Sequence, residues 1–333
     1  MNWFELLTGF QETVPSEVRK NLTVDGETLT SHVNGKVFVC GRLETPSLAE
    51  LRDRVRTGDH GDGGKISVRE VVANVQALHA DVSYTGSLFQ VASQFNLLEM
   101  VSQKITPEQG VAIYEHDHTQ GPACAIAAGA GTIYRNYFAL VNGQIGQTKD
   151  NQIDCLADLG RALGNSGNRL WKMSNGYAMA SREGLIEISK RLRASSEDER
   201  DELRKLLRIG IHFNTQVTLE DCTHTVSQAY CSALPVAYSG HPSDLWEDFA
   251  RLVLEASYEA TICAAILNWR RTENNRVFLT LLGGGAFGNE TDWITESIKH
   301  ALGLYEDWNI EVAIVSYGAS KKYVHQLAEQ FSS

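Results

Sequence analysis

The chain has 333 residues, 43% hydrophobic and 21% charged, an ordinary globular composition with material for a large core. A formal charge of -11 and a pI near 5.4 exclude a nucleic-acid partner gripped by a basic face, because backbone binding needs clustered Lys and Arg. No uncharged run is apolar enough to span a bilayer, the start lacks the basic-then-apolar order of an export signal, and the six cysteines form no C-x-x-C pair. The expectation is a cytoplasmic protein with buried free thiols and no membrane partner; a specialised secretion signal would escape this test.

Residues 1–35 are polar and weakly periodic and read as an irregular N-terminal arm with one short helix. "KVFVCGRLE" reads as a strand, and Pro46 with the cap Ser47 opens a helix through "LAELRDRVR". "RTGDHGDGGK" is a loop by its glycines, and Val68, Val71, Val72, Val75 and Leu78 form a helical stripe ahead of the short buried strand "SLFQVAS". "VAIYEHDHTQGPACAIAAGAGTIYRNYF" predicts a strand, a loop, then a small-residue helix with Pro122 in its first turn. Residues 139–210 read as an insertion, including the charged helix "SEDERDELRKLLRIG" as a solvated face. "SQAYCSALPVAYS" reads as a strand, and Ser243 caps a long helix with Leu245, Phe249, Leu252, Val253, Ala256 and Ala260 on one stripe. A last strand, glycine loop, helix and strand "IEVAIVS" have the spacing of a parallel βαβ crossover. The fold class predicted is one elaborated α/β/α domain over 36–330 with a mostly parallel sheet.

"GGGAFG", Gly283 to Gly288, is the most informative stretch. A strand, bare backbone and a helix start leave amides pointing outward at the positive end of a helix dipole, an arrangement that suits phosphate. Gly283, Gly285 and Gly288 satisfy G-x-G-x-x-G in the context a dinucleotide fingerprint requires. Against that, the next strand ends in Ser316 and Tyr317 rather than an acid, and only about 50 residues follow the loop. A connector that binds nothing would give four glycines no reason for their entropic cost.

The order strand, Gly-Ala-Phe-Gly loop, helix, strand resembles the C-terminal half of a macrodomain, the ADP-ribose-binding fold, as do the tyrosine-bearing helix Phe249 to Ile266 and the strand running into "ALPVAY". "GGGAFG" is especially similar to the second phosphate loop of the poly(ADP-ribose) glycohydrolase branch. That resemblance implies a three-layer α/β/α fold and ADP-ribose, or an ADP-ribosylated protein, as partner, with no cofactor required. It further implies that Gly283, Gly284, Gly285, Ala286, Gly288 and Asn289 form the second phosphate loop, with Phe287 over the distal ribose. "LFQVASQFN" stands where the family has its ribose-binding turn, which implies a binding role for Gln94, Phe95 and Asn96. "TQGPACAIAAGAG" resembles the first phosphate loop, with Gly121, Pro122, Ala123 and Gly129 as its contacts, and Ser316 and Tyr317 fall where adenosine is met. The chain departs from the branch in carrying its triple glycine in the second loop and no Glu-Glu pair near the first, so the family's catalytic pair has no counterpart.

Hydrolysis of an ADP-ribosyl bond passes through an oxocarbenium-like centre and needs an oriented water and a carboxyl group. "YEHDHTQGP" concentrates such groups: an extended chain would place Glu115 and Asp117 on one side and His116 and His118 on the other. Asp117, His118 and Gln120 are the catalytic candidates, with Glu99 a fourth; a cap or a solvated helix position is the alternative role for each. "EHDH" and "DHGDGG" supply metal-ligand types, but sequence neighbours rarely close a site alone, so no metal is expected. No P-loop motif occurs, and His224, Ser227 and Cys231 lack a nucleophile elbow and read as plain strand. Three functions stay open: an ADP-ribosyl hydrolase, a non-catalytic ADP-ribose reader, and a nicotinamide-dependent oxidoreductase.

Overall fold

A computed structural model describes residues 1–58, 64–220 and 222–331. The acidic stretch Asp59 to Gly64, apart from its last glycine, lies outside the described residues. The chain starts with α1 (Trp3–Thr8), α2 (Pro15–Asn21) and an antiparallel sheet of β1 (Leu22–Asp25), β2 (Thr28–Ser31) and β3 (Val37–Val39). This corrects the irregular arm expected for residues 1–35. Phe4, Leu7, Val18, Leu22 and Leu29 join Leu98, Tyr114, Ile133 and Tyr137 in a small core of their own. Each element is too short to show a period, and its long-range packing adds to local bonds such as the Asn2 cap of α1.

"KVFVCGRLE" is two strands. At Gly41 φ is +76°, and a Cβ there would run into the backbone of Phe213 and Asn214, so β4 (Arg42–Glu44) leaves the small sheet and enters the central one. The expected Ser47 cap starts α3 (Leu48–Thr57), and Glu50 completes a capping box with it. The valine stripe is not one helix: Val68, Val71 and Val72 lie on β5 (Ser67–Val72), and α4 (Val75–Ala80) begins after Asn74, whose Oδ1 accepts the Gln76 amide at 2.8 Å. Clustered β-branched residues pack better on a pleated surface, and that preference overrode the helical period.

After β6 (Leu88–Ala92) comes a second correction. Residues 112–116 form a 3-10 turn rather than a strand, because the distant Glu12 carboxylate accepts the Val111 and Ala112 amides at 2.9 and 2.7 Å and caps the turn. Then follow α5 (Gln120–Ala127) and α6 (Gly129–Tyr137). Residues 139–210 hold the hairpin β7 (Leu140–Val141) and β8 (Gln144–Ile145), α7 (Ala157–Leu163), the hairpin β9 (Trp171–Ser174) and β10 (Tyr177–Ala180), α8 (Arg182–Ala194) and α9 (Glu197–Arg204). Both hairpins turn on Asn-Gly pairs with positive φ at each residue. The α9 charges are not merely solvated: Arg204 is buried and donates to Glu255 at 2.8 Å, and Arg52 bridges Asp201 and Glu259.

The chain continues through β11 (Gly210–Gln216), β12 (Thr225–Cys231), α10 (Ser243–Thr272), β13 (Arg276–Leu279), α11 (Thr291–Leu304), β14 (Glu311–Ser316) and α12 (Lys322–Glu329). Strand β12 stops at Cys231, short of the expected "ALPVAYS", and Ser243 is the first residue of α10 rather than its cap, with no capping bond from the preceding Pro242. The sheet order is β4-β11-β12-β6-β13-β14-β5; every pair from β12 to β5 is parallel, and β11 runs antiparallel to both neighbours. On β6, Phe89 stacks on His79 of α4 with centroids 3.8 Å apart, while Gln90 donates to Thr261 of α10 at 2.8 Å. Successive strand residues point to opposite faces, so helices cover both sides of the sheet and the architecture is α/β/α. The five parallel strands end on one edge, where open α/β sheets place ligand clefts.

Candidate functional site

At that edge lies a cleft in two chambers, one of about 670 Å³ and one of about 160 Å³. Asp117, Thr119, Gln120, Thr280, Leu281 and Gly285 line both and form the wall between them. The two glycine-bearing loops, far apart in sequence, thus meet at one place because β6 and β13 are paired neighbours.

The loop after β13 is fixed from below. Tyr258 of α10 donates its hydroxyl to Thr280 O and accepts the Leu282 amide, each at 2.8 Å. Asn289 closes the far end, its amide donating to Gly283 O at 2.9 Å and its Nδ2 to Leu234 O at 2.8 Å. Gly283 and Gly288 have φ of +72° and +70°, and a Cβ on either would crowd Ala233 or Ala237. These two glycines serve the backbone path. Gly284 and Gly285 serve the opening: both are exposed, and a Cβ on Gly285 meets nothing within 4 Å. Among the hydrogen bonds between described residues, the amides of Gly283, Gly285, Ala286 and Phe287 donate to none. In the same shared wall, α5 starts at Gln120 with no side-chain cap, and its first-turn amides lack helical acceptors.

Glu99 enters the smaller chamber from beneath. Its side chain is buried, its Oε1 has no hydrogen-bond partner, and a Cβ on Gly121 would overlap its carboxyl group, so the bare glycine makes room for it. Burial pushes its pKa well above the usual carboxylate range, Asp117 adding to the rise and Arg135 opposing it. That Arg135 is itself buried, donating to Leu97 O and Thr132 Oγ1 with its guanidinium 3.7 Å from the centre of the Tyr230 ring. Asp117 accepts the Thr119 amide at 2.9 Å and faces both chambers; His118 is exposed and lines the larger one. The Gln120 amide is fully engaged, accepting from Ala92 N and donating to Gln90 O and Cys124 Sγ. It thereby clamps α5 to the end of β6 while bordering both chambers.

Of the residues singled out in the sequence, Glu99, Asp117, His118, Gln120, Gln94, Gly121, Pro122, Ala123, Gly283, Gly284, Gly285, Ala286, Phe287 and Tyr317 line the cleft. The others do not. Asn96 is buried, its Nδ2 donating to Gln152 and its Oδ1 accepting the Leu98 amide, and Phe95 lies in the core beside it. Gly129 starts α6 against Trp3 and Thr218, away from the opening. Gly288 and Asn289 close their loop, and Ser316 donates to Glu70 at 2.6 Å. Each has its polar or steric capacity taken by the fold, which spacing alone does not reveal.

Sequence reasoning missed Tyr177 and Tyr238. Their rings flank Phe287 with centroids 5.4 and 5.5 Å away, and Tyr177 donates to Met100 O at 2.9 Å. The Asn175-Gly176 turn announces the hairpin that carries Tyr177, but not where it docks. Also missed were Asn74, Gln76, Lys321 and Tyr323 around the larger chamber. Among the described residues no group of three or more His, Cys, Asp or Glu is placed to hold a metal, and no helix is long and apolar enough to cross a membrane. Cys40, Cys124, Cys155, Cys231 and Cys263 are free thiols, all of them buried.

No family model and no curated protein matches the chain. Among solved structures it is similar to a poly(ADP-ribose) glycohydrolase from Thermomonospora curvata, with 12% identity over 95% of this chain and 96% of that one and a TM-score of 0.45. The same enzyme bound to the inhibitor ADP-HPD gives 11% identity, the same coverage and a TM-score of 0.42. A poly(ADP-ribose) glycohydrolase from Deinococcus radiodurans in complex with ADP-ribose gives 11% identity over 87% of this chain and 91% of that one, with a TM-score of 0.44.

Proposed function

We propose that the cleft binds ADP-ribose and that the protein hydrolyses an ADP-ribosyl linkage. The observation that carries this reading is the shared wall: undonated amides of the Gly283–Phe287 loop and the uncapped start of α5 border the same two chambers. An acidic protein that binds a diphosphate must do so with local dipoles, and this arrangement supplies them. The larger chamber, with Tyr317 and Tyr323, takes adenosine; the smaller, beneath Phe287, takes the terminal ribose. Glu99, held protonated by burial, gives its proton to the leaving group, and Asp117 orients the water that adds to the ribosyl carbon. Gln94 and Gly121 border that ribose, and Asn96 supports its pocket through the turn it closes. In this reading residues 36–330 act as one macrodomain-like unit, and the segment 139–210 completes the ribose pocket through Tyr177.

The lack of paired glutamates near the first loop favours a second reading, a non-catalytic reader of ADP-ribose. Calorimetric titration with ADP-ribose and with NAD, followed by an assay for ADP-ribose release from modified protein, separates the readings. Hydrolysis predicts ADP-ribose binding and turnover lost in Glu99→Gln with affinity kept; binding without turnover selects the reader. Tight NAD binding with no ADP-ribose binding overturns both in favour of an oxidoreductase.

A further inference from the structure

The last wall of the larger chamber is the bend between β14 and α12, which carries Tyr317 and Lys321 into the cleft. Tyr317 is 77% exposed, and within the bend the only backbone bond is from Ala319 N to Tyr317 O at 3.0 Å. Its anchor comes from the outer strand. Glu70 of β5 accepts Ser316 Oγ at 2.6 Å and the Lys321 amide at 2.8 Å on one carboxylate oxygen, and Ser320 Oγ at 2.5 Å on the other. One side chain therefore holds both ends of the bend. Glu70 itself does not line the cleft.

We infer that Glu70 is a positioning residue for the nucleobase end of the site, setting affinity for the adenosine part of the ligand through Tyr317 and Lys321. This rests on the adenosine assignment above. Three charge-assisted bonds fix a segment that would otherwise sample many conformations, and the entropy of ordering it would then be met at binding.

The test compares Glu70→Ala, Glu70→Gln and Ser320→Ala with the wild type, using ADP-ribose, AMP and ribose 5-phosphate as calorimetric probes and hydrogen exchange at the Lys321 amide as a ligand-free readout. Glu70→Ala should weaken ADP-ribose and AMP by a common factor of about ten, leave ribose 5-phosphate unchanged and speed exchange at Lys321. Glu70→Gln, which keeps an acceptor for Ser316 and Lys321, should restore most of the affinity, and Ser320→Ala should show the same selectivity on a smaller scale. Faster exchange at Lys321 with unchanged AMP affinity overturns the inference, as does an equal loss for ribose 5-phosphate. Failure of the wild type to bind ADP-ribose or AMP overturns the ligand assignment itself, and this inference with it.

Discussion

Gly285 offers the sharpest separation of folding from binding. Its φ lies outside the left-handed region and a Cβ there meets nothing within 4 Å, so a side chain at this position disturbs no packing. Substitutions with neither strain nor lost contacts usually change stability by under about 0.5 kcal/mol, and replacing Gly often adds a little by restricting the unfolded chain. Binding is different, because Gly285 borders both chambers at the place assigned to the diphosphate. Two unit charges about 4 Å apart at a protein surface repel by about 4 kcal/mol, and solvent and salt at this exposed loop reduce that to about 2 kcal/mol. Gly285→Glu should therefore lose about thirtyfold or more in ADP-ribose affinity with an unchanged melting temperature. Gly285→Gln has nearly the same size without the charge, so the ratio of the two dissociation constants isolates the electrostatic part. Calorimetry and thermal melting read both quantities. If Glu and Gln variants bind as the wild type does, the loop does not meet a diphosphate and the assignment fails.

Gly283→Ala should behave in the opposite way, destabilising by about 1–3 kcal/mol in urea titration, because φ is +72° and the new methyl would crowd Ala233 and Asn289. Glu99 binds its proton more tightly folded than unfolded, so its contribution to stability is fully present below about pH 4.5 and is lost as pH rises through the folded value. Urea midpoints across that range should fall less in Glu99→Gln; an identical pH slope in the variant would show that the buried carboxyl is not protonated. Asp201 has the reverse sign. Hydrogen bonding to Arg52 leads in holding it down at about 2, so its stabilisation is present above about pH 3.8 and lost as pH falls toward 2. Asp201→Asn should accordingly lower the melting temperature at neutral pH and hardly at all near pH 2. Phe287→Ala removes two ring pairs worth about 0.5–1.5 kcal/mol each and should weaken ribose 5-phosphate more than AMP; equal losses would place the ring elsewhere in the ligand.

What the amino-acid order determined by itself was local. The apolar run Val277 to Leu279, the four glycines and the periodic stripe of α11 dictate strand, loop and helix without reference to the rest of the chain, and the crossover length dictates a parallel pair. The Ser47 cap of α3 and the cluster Glu115, Asp117, His118 were equally legible. Tertiary structure decided everything that depends on a distant partner. Glu12 turned residues 112–116 from a strand into a 3-10 turn, burial raised the pKa of Glu99 against the opposing charge of Arg135, and Glu70 claimed Ser316. Asn96 looked like a ligand contact and became a support for its own turn, whereas Tyr177 looked like part of an insertion and became a wall of the cleft. The reason is physical: hydrogen-bond capacity and solvent exposure are properties of a side chain's neighbours, and those neighbours are chosen by how the sheet is ordered, which no single stretch of sequence contains.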